Sequence, residues 1–409
     1  MSNRSGFKHT PIGWIPEEWH IKEFAEVSSK ILDGTHFSPK SKNGHYKYIT
    51  SKNIRNEGLD LTDVTYIDEK EHIEIFKRCP VIYDDILLTK DGAGTGTCCK
   101  NSLNEPFSLL SSVAVIRSND DVCHNDYLFQ YIKSPRGQFV IKDAIAGQAI
   151  TRITLEKIRS FDIIIPTIPE QRRIAAILST WDEAITKTQQ LIIQLQQRNK
   201  GLMQQLLTAK GSWKEYRIGD LLKEVKRPVS WNEEELYYLI SVRRRSGGAF
   251  FRESLYGKQI LTKQLFTAEE GDFLISKMQI IHGASAVVPK ELAGMKISGS
   301  YIAIHTKDGK LMDIDFFNWL SKTRWFYRMT YVSSYGVHIE KMTFDYDDFK
   351  RRKIMLPPTV EEQKSIVELL QTATDEVNLL EQKLVAIQKQ KKGLMQKLLT
   401  GEVRVKIDN

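Results

Sequence analysis

The fold of this chain is decided by a stretch that opens with Pro166-Thr167-Ile168-Pro169-Glu170-Gln171 and closes with Gly201-Leu202-Met203-Gln204-Gln205-Leu206-Leu207-Thr208. The same stretch recurs 192 residues later, opening with Pro358-Thr359-Val360-Glu361-Glu362-Gln363 and closing with Gly393-Leu394-Met395-Gln396-Lys397-Leu398-Leu399-Thr400. The two copies share 17 of 43 positions without a gap, which chance does not produce. The duplication predicts two equivalent modules and a pseudo-twofold molecule, suited to a ligand with two half-sites.

Both copies carry apolar residues that step by four and three positions for more than four heptads. The stepped positions are Ile174, Leu178, Trp181, Ile185, Thr188, Ile192, Leu195, Asn199, Leu202 and Leu206, then Ile366, Leu370, Ala373, Val377, Leu380, Leu384, Ile387, Lys391, Leu394 and Leu398. This heptad pattern predicts two coiled-coil helices of roughly 39 residues, about 58 Å long, that pair with each other. Asn199 and Lys391 occupy equivalent core positions, where a polar residue can fix the register of the pair.

The ends of the two helices carry matching signals. Thr167 with Glu170, and Thr359 with Glu362, have the spacing of a capping box at a helix start. Gly211 and Gly401 follow the helical patterns, where left-handed caps occur.

The repeat extends beyond the helices, because Trp19 parallels Trp213 and shorter motifs between them match at offsets of 187 to 194. We therefore predict four segments: a globular domain at 1–165, a helical spacer at 166–210, a second globular domain at 211–357 and a second spacer at 358–409. The globular domains are predicted to be mixed α/β. Val113-Ala114-Val115-Ile116 and Tyr301-Ile302-Ala303-Ile304 have the composition of strands, and residues 126–140 that of a helix interrupted at Pro135.

Composition narrows the class of protein. Of the 409 residues, 41% are hydrophobic, yet no apolar stretch approaches the roughly 18 residues of a membrane span, and we expect no membrane association. The start of the chain lacks a signal-peptide pattern, and the four cysteines form no Cys-x-x-Cys pair, so we expect a reducing, cytoplasmic location. The net charge of +8 indicates a polyanionic partner only weakly; segment 211–357 contributes +6 of it.

The doubled openings Pro166–Gln171 and Pro358–Gln363, and the doubled Gly-Leu-Met-Gln-x-Leu-Leu-Thr closings, resemble the specificity subunit of type I restriction–modification systems. The order of domain, helix, domain and helix matches over essentially the whole chain. The resemblance implies a mixed α/β (α+β) fold with two target-recognition domains, separated by a long antiparallel two-helix coiled coil. One departure concerns the first opening, where Pro166 and Pro169 flank Thr-Ile, and it leaves the entry angle of the first helix open.

The resemblance also implies a function. Each recognition domain would read one half of a bipartite, asymmetric sequence in double-stranded DNA. The chain itself would have no catalytic activity, and would recruit two methyltransferase (modification) subunits and, with them, nuclease/translocase (restriction) subunits. S-adenosylmethionine, ATP and Mg²⁺ are expected on those partner subunits, with no cofactor or metal on this chain.

Candidate DNA-binding residues lie in loops that occur at equivalent positions of the two domains. Major-groove readout uses Arg or Lys for guanine and Asn or Gln for adenine, while phosphate contacts use cations, hydroxyls and backbone N–H groups. The first loop pair supplies Lys52, Asn53 and Arg55, and Arg243, Arg244 and Arg245. The second pair supplies Lys90, Gly92, Gly94 and Thr95, and Lys277, Gln279, His282 and Ser285. Weaker candidates precede the helices: Gln148 and Arg152, and His338 and Lys341.

Coiled-coil and partner-docking residues are predicted on the two helices. They are Glu170, Gln171, Arg172, Asn199, Gly201 and Leu202 in the first copy, and Glu362, Gln363, Lys391, Gly393 and Leu394 in the second.

Two alternatives from other classes stay open at this point. The chain could be a coiled-coil scaffold without DNA readout, or it could itself be a nuclease or a fused methyltransferase. The second alternative lacks sequence support: there is no Asn/Asp-Pro-Pro-aromatic motif, no Walker motif, and no metal spacing among the histidines. The Asp68-Glu69-Lys70 run is expected to be a solvated loop.

Overall fold

The chain folds into two compact units that cut across the predicted segments. The computed structural model describes residues 5–41, 43–145 and 151–407. The first unit contains the residues up to Leu191 and those from Leu380 onward, and the second unit contains Ile192–Leu379. Each unit therefore holds one recognition domain and part of both long helices.

The first domain alternates short strands with short helices. Its strands are β1 (Phe7–Thr10), β2 (Gly13–Pro16), β3 (His20–Glu23), β4 (Ser28–Asp33), β5 (Tyr46–Ile49), β6 (Ile54–Arg55), β7 (Gly58–Leu59), β8 (Thr65–Ile67), β9 (Ile86–Thr89), β10 (Cys98–Lys100), β11 (Ser108–Leu109), β12 (Val113–Ser118) and β13 (Asp162–Ile165). Its helices are α1 (Phe24–Val27), α2 (Glu69–Arg78), α3 (Asn125–Lys133), α4 (Pro135–Ile145) and α5 (Leu155–Arg159), and the long helix α6 (Ile168–Leu207) follows. The break predicted at Pro135 is confirmed. The expected loop at Asp68 is wrong, because its carboxylate accepts a hydrogen bond from the Glu71 N–H and caps α2.

The second domain, which the structure describes throughout, follows a similar order but lacks counterparts of the β1–β2 hairpin and of α2. Its strands are β14 (Lys214–Arg217), β15 (Leu222–Val225), β16 (Leu236–Val242), β17 (Ala249–Tyr256), β18 (Leu265–Thr267), β19 (Phe273–Ser276), β20 (Ser285–Val287), β21 (Lys296–Ser298), β22 (Tyr301–Thr306), β23 (Ser334–Tyr335), β24 (Thr343–Phe344) and β25 (Lys353–Leu356). Its helices are α7 (Ile218–Leu221), α8 (Ile314–Leu320), α9 (Arg324–Val332) and α10 (Tyr346–Arg351), and the long helix α11 (Val360–Leu399) follows.

The sheets confirm the internal repeat. An antiparallel four-stranded sheet has the order β4-β12-β9-β10 in the first domain and β15-β22-β19-β20 in the second. A second sheet pairs β5 in parallel with β11, and β16 in parallel with β21. A two-stranded antiparallel pair, β3 with β13 or β14 with β25, joins the start of each domain to the strand before its long helix.

The predicted helical seams are confirmed, since every stepped position from Ile174 to Leu206 and from Ile366 to Leu398 is buried or half-buried. Within the first unit, the start of α6 and the end of α11 share one apolar core, which contains Leu178 and Leu398. Within the second unit, the end of α6 shares a core with the start of α11. Each unit thus shows antiparallel pairing of its helix segments.

The ends of the long helices match the sequence only in part. Each start has one of the two reciprocal bonds of a capping box: the Thr167 N–H donates to Glu170 at 3.3 Å, and the Glu362 N–H donates to the Thr359 hydroxyl at 3.2 Å. Gly401 has the predicted left-handed conformation, with φ of 75°. The left-handed cap predicted at Gly211 is wrong, since its φ is not positive.

Among the residues that the structure describes, none of the helices combines the length and the apolar character that crossing a membrane requires.

Candidate nucleic-acid interface

The first loop of the first domain follows β5 and turns through a short 3₁₀ segment. Lys52 and Arg55 are exposed there, and each is paired with a carboxylate on the same loop. Asn53 is a correction to the sequence analysis, because it is only 2% exposed. Its side-chain amide donates to the carbonyls of Asp60 and Asp63, and its side-chain oxygen accepts from a backbone N–H. Asn53 therefore shapes the loop from inside and cannot reach a base.

The equivalent loop of the second domain presents three exposed arginines. The guanidinium of Arg243 lies 4.1 Å from the centroid of the Phe250 ring, which supports it while leaving its N–H groups free to turn outward. Arg245 adopts a left-handed conformation, with φ of 58°, and its N–H donates to the carbonyl of His282 at 2.7 Å. The turn holds three cations on a short segment at the end of β16.

The second loop of the first domain begins at Lys90, where the structure again corrects the sequence analysis. Lys90 is 1% exposed, and its ammonium lies 3.6 Å from Asp33 and 3.2 Å from Asp91. A buried lysine needs such partners, so Lys90 holds the loop rather than contacting DNA. Gly92 and Gly94 are exposed beyond it, and Gly92 has φ of 93°. That conformation favours glycine and leaves backbone open to an approaching surface.

The residues before α6 lie beside this loop. The Gly92 N–H donates to the Thr151 carbonyl at 2.9 Å, and the exposed Arg152 guanidinium lies 3.4 Å from Asp91. Thr95 closes the turn by donating its hydroxyl hydrogen to the Gly92 carbonyl. The remaining candidate of this group, Gln148, lies outside the described residues.

The second loop of the second domain makes the corresponding contacts. The half-buried Lys277 donates its ammonium to the Gly299 carbonyl at 2.8 Å. Its own carbonyl accepts from the Phe344 N–H, just beyond the exposed His338 and Lys341. Ser285 is a third correction: it lies in β20, is 1% exposed and faces the interior.

Glu340 joins the candidates of the second domain into one surface. Its carboxylate lies 3.4 Å from Arg244 and 3.3 Å from the ring of His282. Gln279 is half-buried in the turn before His282. Glu340 and Asp33 could not be predicted from the sequence, because they meet Arg244 and Lys90 from segments far apart in the chain. The ring of Phe250 was likewise not predicted; it meets Arg243 across the turn between β16 and β17.

Within the described ranges, no group of three or more His, Cys, Asp or Glu side chains is placed to hold a metal ion.

With this geometry in place, comparison with known proteins decides the family. Residues 16–197 and 210–389 match the model of the type I restriction modification DNA specificity domain. The chain belongs to this family. It is a type I specificity subunit, in which two domains recognise the DNA target.

Individual relatives and solved structures are similar over most of this subunit. It is 27% identical to the protein named as the MjaX type I restriction enzyme specificity subunit of Methanocaldococcus jannaschii, over 98% of this chain and 97% of that one. It is 23% identical to the MjaVIII specificity subunit of the same organism, over 96% and 94%. Two solved chains share the fold. One comes from work on complex assembly and conformational transition of the type I R-M system, with a TM-score of 0.59, 17% identity and coverage of 95% and 99%. The other is the S subunit from M. genitalium, with a TM-score of 0.57, 14% identity and coverage of 93% and 96%.

Both glutamines of the Glu-Gln pairs in the specificity subunit are bonded inside the chain, which corrects their predicted role in partner docking. Gln171 is fully buried and accepts from the His124 N–H at 2.8 Å while donating to the carbonyls of Val122 and Pro166. Gln363 makes the same bonds with Asp313 and Leu311, at 2.8 and 2.9 Å. Each glutamine ties the first turn of a long helix to the loop before a domain helix.

The Glu170 carboxylate is also bonded within the chain. It is 1% exposed, accepts from the Trp19 indole N–H at 3.2 Å and binds the Arg404 guanidinium at 2.5 Å. Its counterpart Glu362 is half-buried and makes no such contact among the described residues, apart from its backbone cap. Glu170 thus joins the start and the end of the first unit.

The polar seam residues are confirmed in the helical core and have different partners. The Asn199 amide donates to the Ala373 carbonyl at 2.5 Å. Lys391 is 6% exposed and donates to Asp182 at 2.6 Å, so it is not available to another subunit.

Of the predicted docking residues, Arg172, Gly201 and Gly393 are exposed, while Leu202 and Leu394 lie half-buried against the apolar cores. Among the described residues, nothing lies within 4 Å of the place that a Cβ would take on Gly201 or Gly393. A glycine inside a helix costs about 1 kcal/mol relative to alanine, and no contact in the described part of the chain explains either one.

Proposed function

We propose that each recognition domain reads one half of a bipartite, asymmetric duplex DNA sequence, with an unspecified spacer between the halves. One observation carries the proposal: exposed cations stand at the ends of the equivalent strands β5 and β16, on loops that the rest of each domain braces. Two such loops on one chain suit a target with two separate half-sites.

In the second domain, Arg243, Arg244 and Arg245 carry the chemistry for guanine edges or phosphates. Glu340 neutralises Arg244 in the free protein, and a carboxylate at this position can accept a hydrogen bond from a cytosine amino group. Lys277, His338 and Lys341 border the same surface and supply further cationic or hydrogen-bonding contacts.

In the first domain, Lys52, Arg55 and Arg152 are the exposed cations, and the exposed turn at Ala93 and Gly94 offers backbone to a phosphate. All three cations are paired with carboxylates: those of Lys52 and Arg55 lie in the same loop, and that of Arg152 is Asp91 in the neighbouring loop. DNA phosphates would replace these surface ion pairs at little cost, since exposed pairs contribute about 0–1 kcal/mol.

The long helices would dock two methyltransferase subunits and, with them, nuclease/translocase subunits. The exposed helix glycines support this part of the proposal, because they leave room for a close approach by another backbone. The chain itself would be non-catalytic, with S-adenosylmethionine, ATP and Mg²⁺ bound by the partner subunits.

The test is to co-express the chain with the methyltransferase subunit encoded beside it, and to sequence the host DNA for modified adenines. A single new split motif is the expected result. Replacing residues 1–165 with another recognition domain should then change one half of that motif only. A purified complex without a modified motif, or a swap that alters both halves, would contradict the proposal.

A further inference from the structure

The second unit contains a cavity between the end of α6 and the second domain. Its volume is about 720 Å³. The apolar lining comes from Met203 and Leu207 on α6, Trp213 just before β14, Trp325 on α9 and Met355 on β25. A cavity of this size accommodates several side chains, and this one is open at the surface beside Ala209.

The polar side chains that line the cavity are cationic or neutral, so the lining favours a ligand that accepts hydrogen bonds and carries negative charge. Trp213 is 5% exposed, and its indole N–H has no hydrogen-bond partner among the described residues. Lys200, Lys322 and Arg324 line the same space, with no carboxylate among the lining residues. The Lys322 ammonium lies 3.6 Å from the Trp319 ring, and burial lowers its pKa, as expected of a lysine without a counterion nearby.

The first unit shows what fills the equivalent position there. Met395, Leu399 and Trp19 correspond to Met203, Leu207 and Trp213, and all three are buried in one apolar cluster. Ile15, from the β1–β2 hairpin, is 1% exposed and belongs to that cluster, while Pro16 lies directly against Gly401.

The polar requirements are also met in the first unit. The Trp19 indole N–H donates to Glu170 at 3.2 Å, and Glu18 is bonded to Arg404. The segment that covers this position, Ile15-Pro16-Glu17-Glu18, is aliphatic and then acidic, while the carboxylate at the indole itself comes from Glu170 in α6.

The second unit cannot supply such a segment from its own chain. Only six residues separate the end of α6 at Leu207 from the start of β14 at Lys214, and they include Trp213 itself. No hairpin equivalent to β1–β2 precedes β14, because the chain enters the second domain directly from the helix.

We propose that an extended segment of a docked methyltransferase subunit fills this cavity, placing an aliphatic side chain where Ile15 lies in the first unit and a carboxylate between Trp213 and Lys322. The proposal rests on the proposed docking of two methyltransferase subunits. One of the two methyltransferase subunits would thus make, in the second unit, the contact that the Ile15–Glu18 segment makes in the first unit. The two docking sites consequently differ in strength, although the helices that carry them are repeats.

The experiment uses the full-length chain and the neighbouring methyltransferase subunit, titrated and followed by native mass spectrometry and sedimentation velocity. Ala209→Trp fills the mouth of the cavity from an exposed position and leaves the apolar core untouched. Lys322→Glu reverses the charge that would meet the carboxylate. Lys210→Trp and Lys307→Glu are the matched controls, since both residues are exposed and neither lines the cavity.

The wild-type chain and both controls should bind two methyltransferase copies. Ala209→Trp and Lys322→Glu should each raise the dissociation constant of one copy at least tenfold, so that the 1:1 complex predominates where the wild type is 1:2. A 1:2 complex of wild-type affinity with Ala209→Trp would overturn the cavity assignment and leave the docking function standing. A wild-type chain that binds no methyltransferase would overturn the docking function, and this inference with it.

Discussion

The buried ion pair in the helical seam gives the sharpest stability prediction. Lys391 is 6% exposed, and its ammonium lies 2.6 Å from Asp182, which also accepts from Gln130 at 2.7 Å and lies 3.6 Å from Lys133. Asp182→Ala removes the counterion and leaves the lysine charge in the interior. Breaking a buried pair from one side costs about 3–5 kcal/mol.

The size of the effect follows from the exposure of the two side chains. Because 30% of the Asp182 side chain is accessible, water can partly rehydrate Lys391 in the variant, and we expect the lower end of the range. Asp182→Ala should therefore lower the free energy of unfolding by about 3 kcal/mol. Adding Lys391→Met should restore stability to within about 1 kcal/mol of the wild type, since replacing both partners of a buried pair by apolar groups is often neutral.

The assay is urea unfolding followed by circular dichroism, with hydrogen exchange to locate the lost stability in the first unit. Asn199→Ala, at the matching seam position of the second unit, serves as the comparison. The reasoning is refuted by an Asp182→Ala loss below about 1 kcal/mol, or by a double variant as unstable as the single one.

The pH dependence of the same variant has a definite sign. Burial lowers the pKa of Lys391, and Asp182 opposes that shift, so removing Asp182 lowers the pKa further. Between the folded pKa and the unfolded value of about 10.4, the unfolded chain binds more protons, and stability rises with pH. The difference in the free energy of unfolding between Asp182→Ala and the wild type should be largest at neutral pH and should narrow toward pH 10. A constant gap would contradict this account.

Three further outcomes are expected. Gln363→Ala removes the buried amide that binds the part-buried Asp313 N–H and Leu311 carbonyl and should lower the free energy of unfolding in urea by about 1–2 kcal/mol, whereas the exposed neighbour Lys364→Ala should stay within about 0.5 kcal/mol; equal losses would be contrary evidence. Arg243→Ala or Lys277→Ala should weaken binding at the second half-site and reduce the salt slope by about 1, with methyltransferase stoichiometry unchanged; unchanged affinity and specificity for both variants would defeat the assignment. Burial raises the pKa of all four thiols, at Cys79, Cys98, Cys99 and Cys123, to about 12, so iodoacetamide at pH 8 should label the folded chain far more slowly than the urea-unfolded chain; equal labelling rates would show that the thiols are accessible.

Most of the helical framework was predictable from the sequence, because its cause is local. A heptad pattern fixes which side of a helix is apolar, so Leu178 and Leu370 could be placed in the core without knowing the partner. The same holds for the strands Val113–Ser118 and Tyr301–Thr306, whose apolar and β-branched residues occupy the sheet interior. The repeat itself indicated that both units have one topology.

The candidate interface was predictable only to the level of loops. Asn53, Lys90 and Ser285 have the right chemistry for DNA and the right position after a strand, yet all three are buried. Lys90 is buried against Asp33 from β4, and Asn53 is bonded to a carbonyl of its own loop, at Asp60; periodicity encodes neither contact. Arg243 and its neighbours stay exposed because their turn projects beyond the sheet.

The sequence by itself determined the family, the doubled topology and the residues that face each helical seam, since these follow from motifs and periodicity along the chain. Only the tertiary structure decided which polar side chains are exposed and which are buried in hydrogen bonds that hold segments of the chain together. Trp19 and Trp213 are equivalent in the repeat, yet Trp19 is covered by the hairpin and bound to Glu170, while Trp213 faces a cavity. That difference arises because a duplicated sequence fixes local conformation twice, whereas the β1–β2 hairpin that covers the first copy has no counterpart in the described residues before β14.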